Sequence, residues 1–202
     1  MKKENVLITE KKNDFDKWLA EIFIREGYNT IIADKNVPAG KIDFIDIYVD
    51  VSDERNNADK FSIRDGLDED VLRSVYEVNV LESMKMLETY LPLLDKGSGK
   101  RLCFLTATEA SINETREING FAYKMSKAAM HNFFQMISNK LSPNGYTFRV
   151  YDPMYADIDA KASAEGAFNY FTRRRGIEQN NPLRDDETRL VFRDALGREH
   201  TW

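Results

Sequence analysis

The sequence predicts an α/β protein built on a doubly wound parallel sheet, and three observations carry that reading. First, the short apolar run Val6-Leu7-Ile8, an amphipathic stripe and a second run, Thr30-Ile31-Ile32-Ala33, fit within about 30 residues. Strand, helix and strand at that spacing form a βαβ unit, whose crossover is right-handed. Second, strand-like and helix-like segments keep alternating along the chain. Third, no internal repeat or low-complexity linker interrupts its 202 residues, so residues 1–202 read as one domain.

The elements follow in order. Phe15, Trp18, Leu19, Ile22 and Phe23 recur at i, i+3, i+4, i+7 and i+8, the stripe of a helix that Glu26-Gly27 closes. The second strand ends at Asp34. Pro38-Ala39-Gly40 makes a turn, and residues 42–51 read as a third strand. Too few residues separate it from the second for another full crossover helix. After a polar stretch at 52–65, Asp68 caps a long helix carrying Val71, Leu72, Val75, Val78, Met86, Leu87 and Leu91. Lys96-Gly97-Ser98-Gly99-Lys100 is a loop, and 101–106 is a strand. Residues 111–120 are polar, and a helix runs from about 122 to 141 with Met125, Ala129, Phe133, Met136 and Ile137 inward. Pro143-Asn144-Gly145 ends it. Residues 147–151 form a strand stopped at Pro153, 155–182 a loop-and-helix excursion, and 188–192 a last strand, with Leu196-Gly197 and a Trp202 tail behind it.

Composition excludes several functions. Lys+Arg 29 against Asp+Glu 34 gives a net charge of −5, which does not favour nucleic acid or an anionic membrane. Apolar runs fall short of the roughly 20 residues that span a bilayer, and the amino terminus has no signal-peptide apolar region. One cysteine, Cys103, leaves no internal disulfide, and with only His131 and His200 no metal site is expected. The expected location is cytoplasmic.

The order of elements, with Tyr123-Lys124-Met125-Ser126-Lys127 opening the penultimate helix, resembles the short-chain dehydrogenase/reductase family. Asn79-Val80 lies mid-helix where that family carries its helix Asn. The 101–106 strand stands where the family places its catalytic-serine strand, and Asp152-Pro153-Met154 where it has Pro-Gly. The resemblance runs from residue 6 to 202 and implies a Rossmann-like sheet. The helix–strand–helix that the family inserts after the second strand, which forms much of its adenine pocket, is missing here.

The resemblance also implies hydride transfer between NAD(P) and a carbonyl or alcohol. A tyrosine hydroxyl with a pKa near 10 is a poor acid/base at pH 7. Tyr123 and Lys127 are i, i+4 on one helix face, so the lysine charge would favour phenolate and bond the nicotinamide ribose. Asn79 would hold a water in the proton relay. Register puts Ala107 at the serine position, with Thr106, Thr108 and Ser111 as substitutes, of which Thr108 is the choice. Thr9 opens the cofactor turn, and Asp34 stands where an acid would bond the adenine ribose. The family dimerises through the helices here carrying Asn79 and Tyr123 and forms tetramers through its last strand, so a homodimer or homotetramer is expected.

The cofactor motif itself departs from the family. Where Thr-Gly-x-x-x-Gly-x-Gly is usual, the chain reads Thr9-Glu10-Lys11-Lys12-Asn13-Asp14-Phe15-Asp16, so Glu10, Asp14 and Asp16 replace the three glycines. Glycine there lets the backbone approach a pyrophosphate at the helix amino terminus. One carboxylate about 5 Å from a phosphate charge costs roughly 3 kcal/mol at an effective dielectric of 20. Asp14 and Asp16 also read as N-cap and first-turn residues that satisfy the helix dipole internally. The usual Asn-Asn-Ala-Gly after the central strand is Asp50-Val51-Ser52-Asp53. Met154 replaces the glycine after Pro153.

The expectation is therefore a dehydrogenase/reductase-like protein with a decayed NAD(P) site and a ligand-binding, regulatory or scaffold role. The alternative is a working NAD(P)-dependent oxidoreductase in which Lys11 and Lys12 face the pyrophosphate. Phe168 to Arg175, with three aromatics beside three arginines, lies where the family has its substrate lid. A solvated lid helix is the favoured reading of that run, and closure over a small acidic or phosphorylated ligand the second.

Overall fold

The computed structural model describes residues 3–9, 12–33, 42–60, 63–64, 66–116, 118–154, 156–173 and 186–202. Seven strands form one sheet in the order β2-β1-β3-β4-β5-β6-β7. They are β1 (Asn5–Thr9), β2 (Asn29–Ala33), β3 (Ile47–Asp50), β4 (Arg101–Leu105), β5 (Thr147–Asp152), β6 (Phe192–Asp194) and β7 (Glu199–His200). All pair in parallel except the last hairpin, β6 with β7. The strand order reverses between β1 and β3, and ligands of open α/β sheets bind outside the carboxyl ends at such a point. The fold class read from sequence stands, including the shortened sheet.

Among the described residues five α-helices cover the two faces: α1 (Asp14–Arg25), α2 (Glu69–Tyr76), α3 (Ser83–Leu94), α4 (Phe121–Leu141) and α5 (Ala160–Thr172). Alternation along the strands divides the core. Val6, Ile8, Val49, Cys103, Leu105 and Tyr151 pack against α1 and α5. Leu7, Tyr48, Leu102, Phe104, Phe148 and Val150 pack against α3 and α4. These strands are buried on both faces, which accounts for their continuous apolar runs. No helix among the described residues is long and apolar enough to cross a membrane.

Beyond Met125 and Met136 of α4, expected inward but exposed, four expectations change. The third strand is confined to β3 rather than 42–51. Ahead of it Asp46 accepts sideways bonds from Asn5 N (3.0 Å), Ser98 N (2.9 Å) and Gly99 N (3.1 Å), and the 97–99 loop presses in. A Cβ on Gly97 would stand 1.8 Å from the Ile45 carbonyl oxygen. The helix capped by Asp68 is not continuous, since Glu77–Glu82 widens into a π-helical segment joining α2 to α3. The last strand is not 188–192. Phe192 enters the α3/α4 core while Arg193 turns to Asp186, so pairing starts at Phe192, and Gly197 (φ +77°) turns the chain into β7.

The fourth correction concerns the lid. The run 168–172 ends α5, a core helix. Phe171 is fully buried, Tyr170 nearly so, and Phe168 meets Phe23 edge-on at 5.0 Å between centroids. Only residues 153–159 connect β5 to α5. Arg174 and Arg175 lie outside the described residues.

Candidate functional site

The helix that carries Tyr123 and Lys127 begins at Gly120, whose φ of +73° and lack of a side chain leave the first amides without a local cap. Asp59 supplies it from a distance, accepting Ala122 N (3.1 Å) and Tyr123 N (2.9 Å). The segment 52–59 thereby crosses the carboxyl ends of the strands directly over Tyr123.

Asp53 sits between the two expected catalytic groups. The Tyr123 hydroxyl donates to Asp53 Oδ1 (2.7 Å), and Lys127 Nζ stands 2.9 Å from the same oxygen. Lys127 also donates to the Ser52 carbonyl at 2.6 Å, and its side chain is 2% exposed. Arg55 covers the tyrosine from the other side. Its guanidinium lies 3.8 Å from the ring centroid, donates to the hydroxyl at 2.7 Å and to Glu109 at 3.2 Å. Burial, and then the charge of Asp53, hold the Tyr123 hydroxyl well above the usual phenol pKa, with Arg55 opposing. The lysine charge that would favour phenolate is already paired with a carboxylate.

Asn79 belongs to this cluster, placed there by the π-helical segment. Its amide donates to the Glu54 carbonyl (3.0 Å) and to Ser126 Oγ (3.0 Å), and its Oδ1 accepts from Glu54 N (2.7 Å). Both amide hydrogens are spent on protein partners. The structure thus gathers Tyr123, Lys127 and Asn79 around Ser52, Asp53 and Glu54. Thr108 is bonded elsewhere, its N and Oγ1 donating to Asp152 Oδ2 at 2.7 and 2.5 Å. Among the other serine substitutes, Thr106 pairs with His131, and Ser111 Oγ accepts from Glu114 N.

At the first turn, Asn13 is the N-cap of α1, not Asp14, and it forms a reciprocal capping box with Asp16. Asp16 Oδ2 accepts both Lys12 N (2.9 Å) and Asn13 N (3.1 Å), while Asn13 Oδ1 accepts Asp16 N (3.0 Å). Asp16 is 1% exposed, and its other oxygen has no partner. Burial lifts its pKa to about 6 against the two amide bonds. Asp14 is exposed and paired with Lys17 at 2.9 Å. Lys12 reaches Glu54 at 3.8 Å. Thr9 Oγ1 accepts Val51 N at 2.9 Å and contacts Asp50 at 3.4 Å. Glu10, Lys11 and Asp34 lie outside the described residues. Thr9, Lys12, Ala33, Ser52 and Met86 border a cavity of about 40 Å³, room for water but far below the roughly 300–1,000 Å³ of ligand pockets.

Sequence reasoning missed Asp53, Arg55, Asp59 and Glu109. One signal pointed to Asp53: it occupies the glycine position of the usual Asn-Asn-Ala-Gly. Arg55 and Asp59 carried none, because their partners are more than 60 residues away.

The fold and the Tyr123–Lys127 pair define an α/β protein with a doubly wound, Rossmann-like sheet. No family model matches the chain. Among solved structures it superposes on a Burkholderia multivorans protein described as a short-chain alcohol dehydrogenase, with TM-score 0.80, 15% identity and full coverage of both chains. It superposes likewise on the carbonyl reductase Sniffer of D. melanogaster, with TM-score 0.75, 14% identity and full coverage of both. A short-chain dehydrogenase/reductase family oxidoreductase from Brucella ovis, in complex with a partially ordered NAD, matches with TM-score 0.64 and 15% identity over 85% of this chain and 94% of that one.

By sequence it is 26% identical over 139 residues to the 1-hydroxy-2-glutathionyl-2-methyl-3-butene dehydrogenase of Rhodococcus sp. (strain AD45), covering 67% of this chain and 61% of that one. It is also 26% identical over 84 residues to the C-signal of Myxococcus xanthus, 42% of this chain and 51% of that one. The chain spans between about a third and three fifths of the length of the curated relatives it matches. It has the fold of the short-chain dehydrogenase/reductases, and oxidoreductases are among the proteins it resembles in sequence.

Proposed function

We propose that this chain does not bind NAD(P) in the manner of its structural neighbours and acts as a ligand-binding or regulatory protein on the dehydrogenase/reductase fold. The observation that carries this is Asp16, whose carboxylate accepts two amides of the turn, Lys12 N and Asn13 N, at the helix end where a phosphate would bind. A pyrophosphate there must displace a buried carboxylate from its own capping box, so the described residues of the turn do not fit that group. Asp53 supports the same reading, because it stands between Tyr123 and Lys127 and, after burial, its charge raises the phenol's pKa. Thermal unfolding with and without millimolar NAD⁺, NADH, NADP⁺ and NADPH tests it. Binding at a hundredfold excess over Kd adds about 2.7 kcal/mol, roughly 5–11 °C at this chain length. The expected result is no shift, and a shift with any one dinucleotide overturns the proposal.

The alternative, an NAD(P)-dependent oxidoreductase acting on a small carbonyl or alcohol, is favoured by the convergence of Tyr123, Lys127 and Asn79 and by relatives that are dehydrogenases. It requires Asp53 and Asp16 to move aside. In either case we propose a homodimer or homotetramer. Leu81, Met84 and Met125 are exposed, and an apolar hollow of about 740 Å³ between α2 and α4 includes Leu72, Tyr76, Leu81 and Met125. A monomer on light scattering at micromolar concentration refutes this part.

A further inference from the structure

The hairpin at the edge of the sheet carries His200 on β7, and both of its ring nitrogens face carboxylates. Nδ1 stands 2.8 Å from Glu114 Oε2, and Nε2 stands 2.8 Å from Asp194 Oδ2. An ionised carboxylate can only accept, and a neutral imidazole has a single N–H to give. Both contacts are therefore hydrogen bonds only when the ring is an imidazolium. Burial pulls the pKa of His200 down, but the bonds and charges of Asp194 and Glu114 outweigh it and leave it above the ordinary 6.5. The bond from His200 in turn holds Glu114 down at about 2, so that carboxyl is ionised wherever the ring titrates.

The two carboxylates differ in what else they hold. Asp194 belongs to the same hairpin as the ring, and it also accepts Leu196 N, Arg198 N and Arg198 Nε at 2.6–3.0 Å. Glu114 belongs to another segment, the connection from β4 to α4, and its Oε1 accepts Thr201 N and Thr201 Oγ1, each at 2.8 Å. Asn113 adds a bond to the Trp202 carbonyl at 2.7 Å. Residues 113–114 thus grip 200–202, and the Trp202 ring meets His131 at 4.8 Å and Phe192 at 5.1 Å between centroids. The Phe192 ring also stacks on the His200 imidazole at 5.4 Å. Other charges on the elements packed here have partners of their own. Glu199 is taken by Arg189 and Arg193, Glu109 by Arg55, and Asp152 by the Thr108 amide and hydroxyl. Arg116 turns back onto the carbonyls of Asn113 and Thr115.

We propose that His200 is the pin of a pH-sensitive latch that ties the 199–202 segment to the connection between β4 and α4, closed while the ring carries both protons and released when it loses one. The neutral ring keeps its remaining proton on Asp194, inside the hairpin, and turns a lone pair toward Glu114. The contact that yields is the one between segments. Two features depend on it. Ala110 and Ile112 of one segment and Trp202 of the other border, with His131, a hollow of about 440 Å³, which widens as the latch opens. The same connection carries Glu109, which holds Arg55 over Tyr123, so the cover of the crevice loosens with it. Because the folded pKa lies above the unfolded one of about 6.5, the latch stabilises the chain fully below that pH and loses its effect as pH rises through the folded value. None of this depends on whether a dinucleotide binds the crevice.

The test is acrylamide quenching of Trp202 fluorescence from about pH 5.5 to about pH 9, in the full chain with Trp18→Phe so that the second of its two tryptophans reports alone. The quenching constant should step upward with a midpoint above 6.5. Burial, and then the charge of Lys127, lower the pKa of His131 to about 4, so that ring is neutral throughout the range and does not produce the step. His200→Ala should show the alkaline value at every pH. Glu114→Gln should show the acid value at every pH, because its oxygen still accepts from Thr201 while its amide N–H donates to Nδ1 of the neutral ring. This second variant keeps the test decisive if His200→Ala misfolds. No step in the wild-type ring pair, a step that survives in either folded variant, or a Glu114→Gln protein quenched like the alkaline form overturns the proposal.

Discussion

Among the described residues the molecule holds two charge clusters of opposite sign, and they differ in what completes them. Across the carboxyl ends of β1, β3 and β4, six carboxylates (Asp16, Asp50, Asp53, Glu54, Asp59 and Glu109) stand among three cations (Lys12, Arg55 and Lys127). Beneath α5 the balance reverses, with five arginines around three acids. In the crevice nearly every donor has an internal acceptor: Asp16 for the turn amides, Asp53 for Tyr123 and Lys127, Asp59 for the amino end of α4, Glu54 for Asn79. In the arginine cluster main-chain carbonyls join the carboxylates as acceptors, those of Phe171 and Arg173 for Arg101, of Phe148, Tyr170 and Asp186 for Arg149, and of Gly197 for Arg193. The crevice is thus knit together by carboxylates accepting from side chains and amides, whereas the cluster beneath α5 is knit together by arginines donating to carboxylates and main-chain carbonyls.

Glu187→Gln breaks the arginine cluster most severely. It leaves Arg101 and Arg149, with side chains 7% and 1% exposed, without their shared counter-charge. Removing one partner of a buried pair costs about 3–5 kcal/mol, and urea unfolding should find a loss of that size. Asp53→Asn attacks the crevice instead. Lys127 keeps the Ser52 carbonyl, so the expected loss is smaller, about 2–3 kcal/mol. The same substitution leaves Lys127 and Arg55 facing Tyr123 without the opposing carboxylate. Its phenol should therefore ionise at lower pH than in wild type, read as tyrosinate absorbance against Tyr123→Phe. An unchanged titration would show that burial alone controls the tyrosine.

Asp16 gives a pH signature. Its folded pKa of about 6 lies above the roughly 3.9 of an unfolded aspartate, so the folded chain holds this proton more tightly. The group's contribution to stability is fully present below pH 4, falls as pH rises from about 4 through 6, and remains lost at pH 7. Asp16→Asn keeps an acceptor for the two amides and removes the charge. It should stabilise the chain by about 1–2 kcal/mol at pH 7 and by nothing near pH 4. Equal effects at both pH values would rule out this buried charge as the cause. Asp14→Ala, one turn position away, should have no measurable effect on the unfolding temperature, because the Asp14–Lys17 pair is exposed.

The sheet was legible because its strands are continuous apolar runs and its helices carry regular stripes, signals that local sequence contains. The same locality explains the errors. The 188–192 run has apolar residues enough for a strand, but Arg193 and Asp186 set where pairing begins, and that is a tertiary contact. The aromatics at 168–171 looked like a lid because sequence does not say which surface they meet; α1 buries them. At the candidate site, the Tyr123–Lys127 spacing and the missing glycines were readable. The hydrogen bond from Tyr123 to Asp53 and the cap from Asp59 were not, because each joins segments more than 60 residues apart.

The connection between β5 and α5 has one further consequence. At seven residues, 153–159, it is spent on reaching the next helix, so that connection carries no flap able to fold over the Tyr123 crevice. Enzymes that close a segment over their ligand often release it at the rate of reopening. Among the described residues it is the 52–59 segment that covers Tyr123, so the rate at which any ligand enters the crevice should respond to Asp53→Asn and Asp59→Asn and not to substitutions in 153–159.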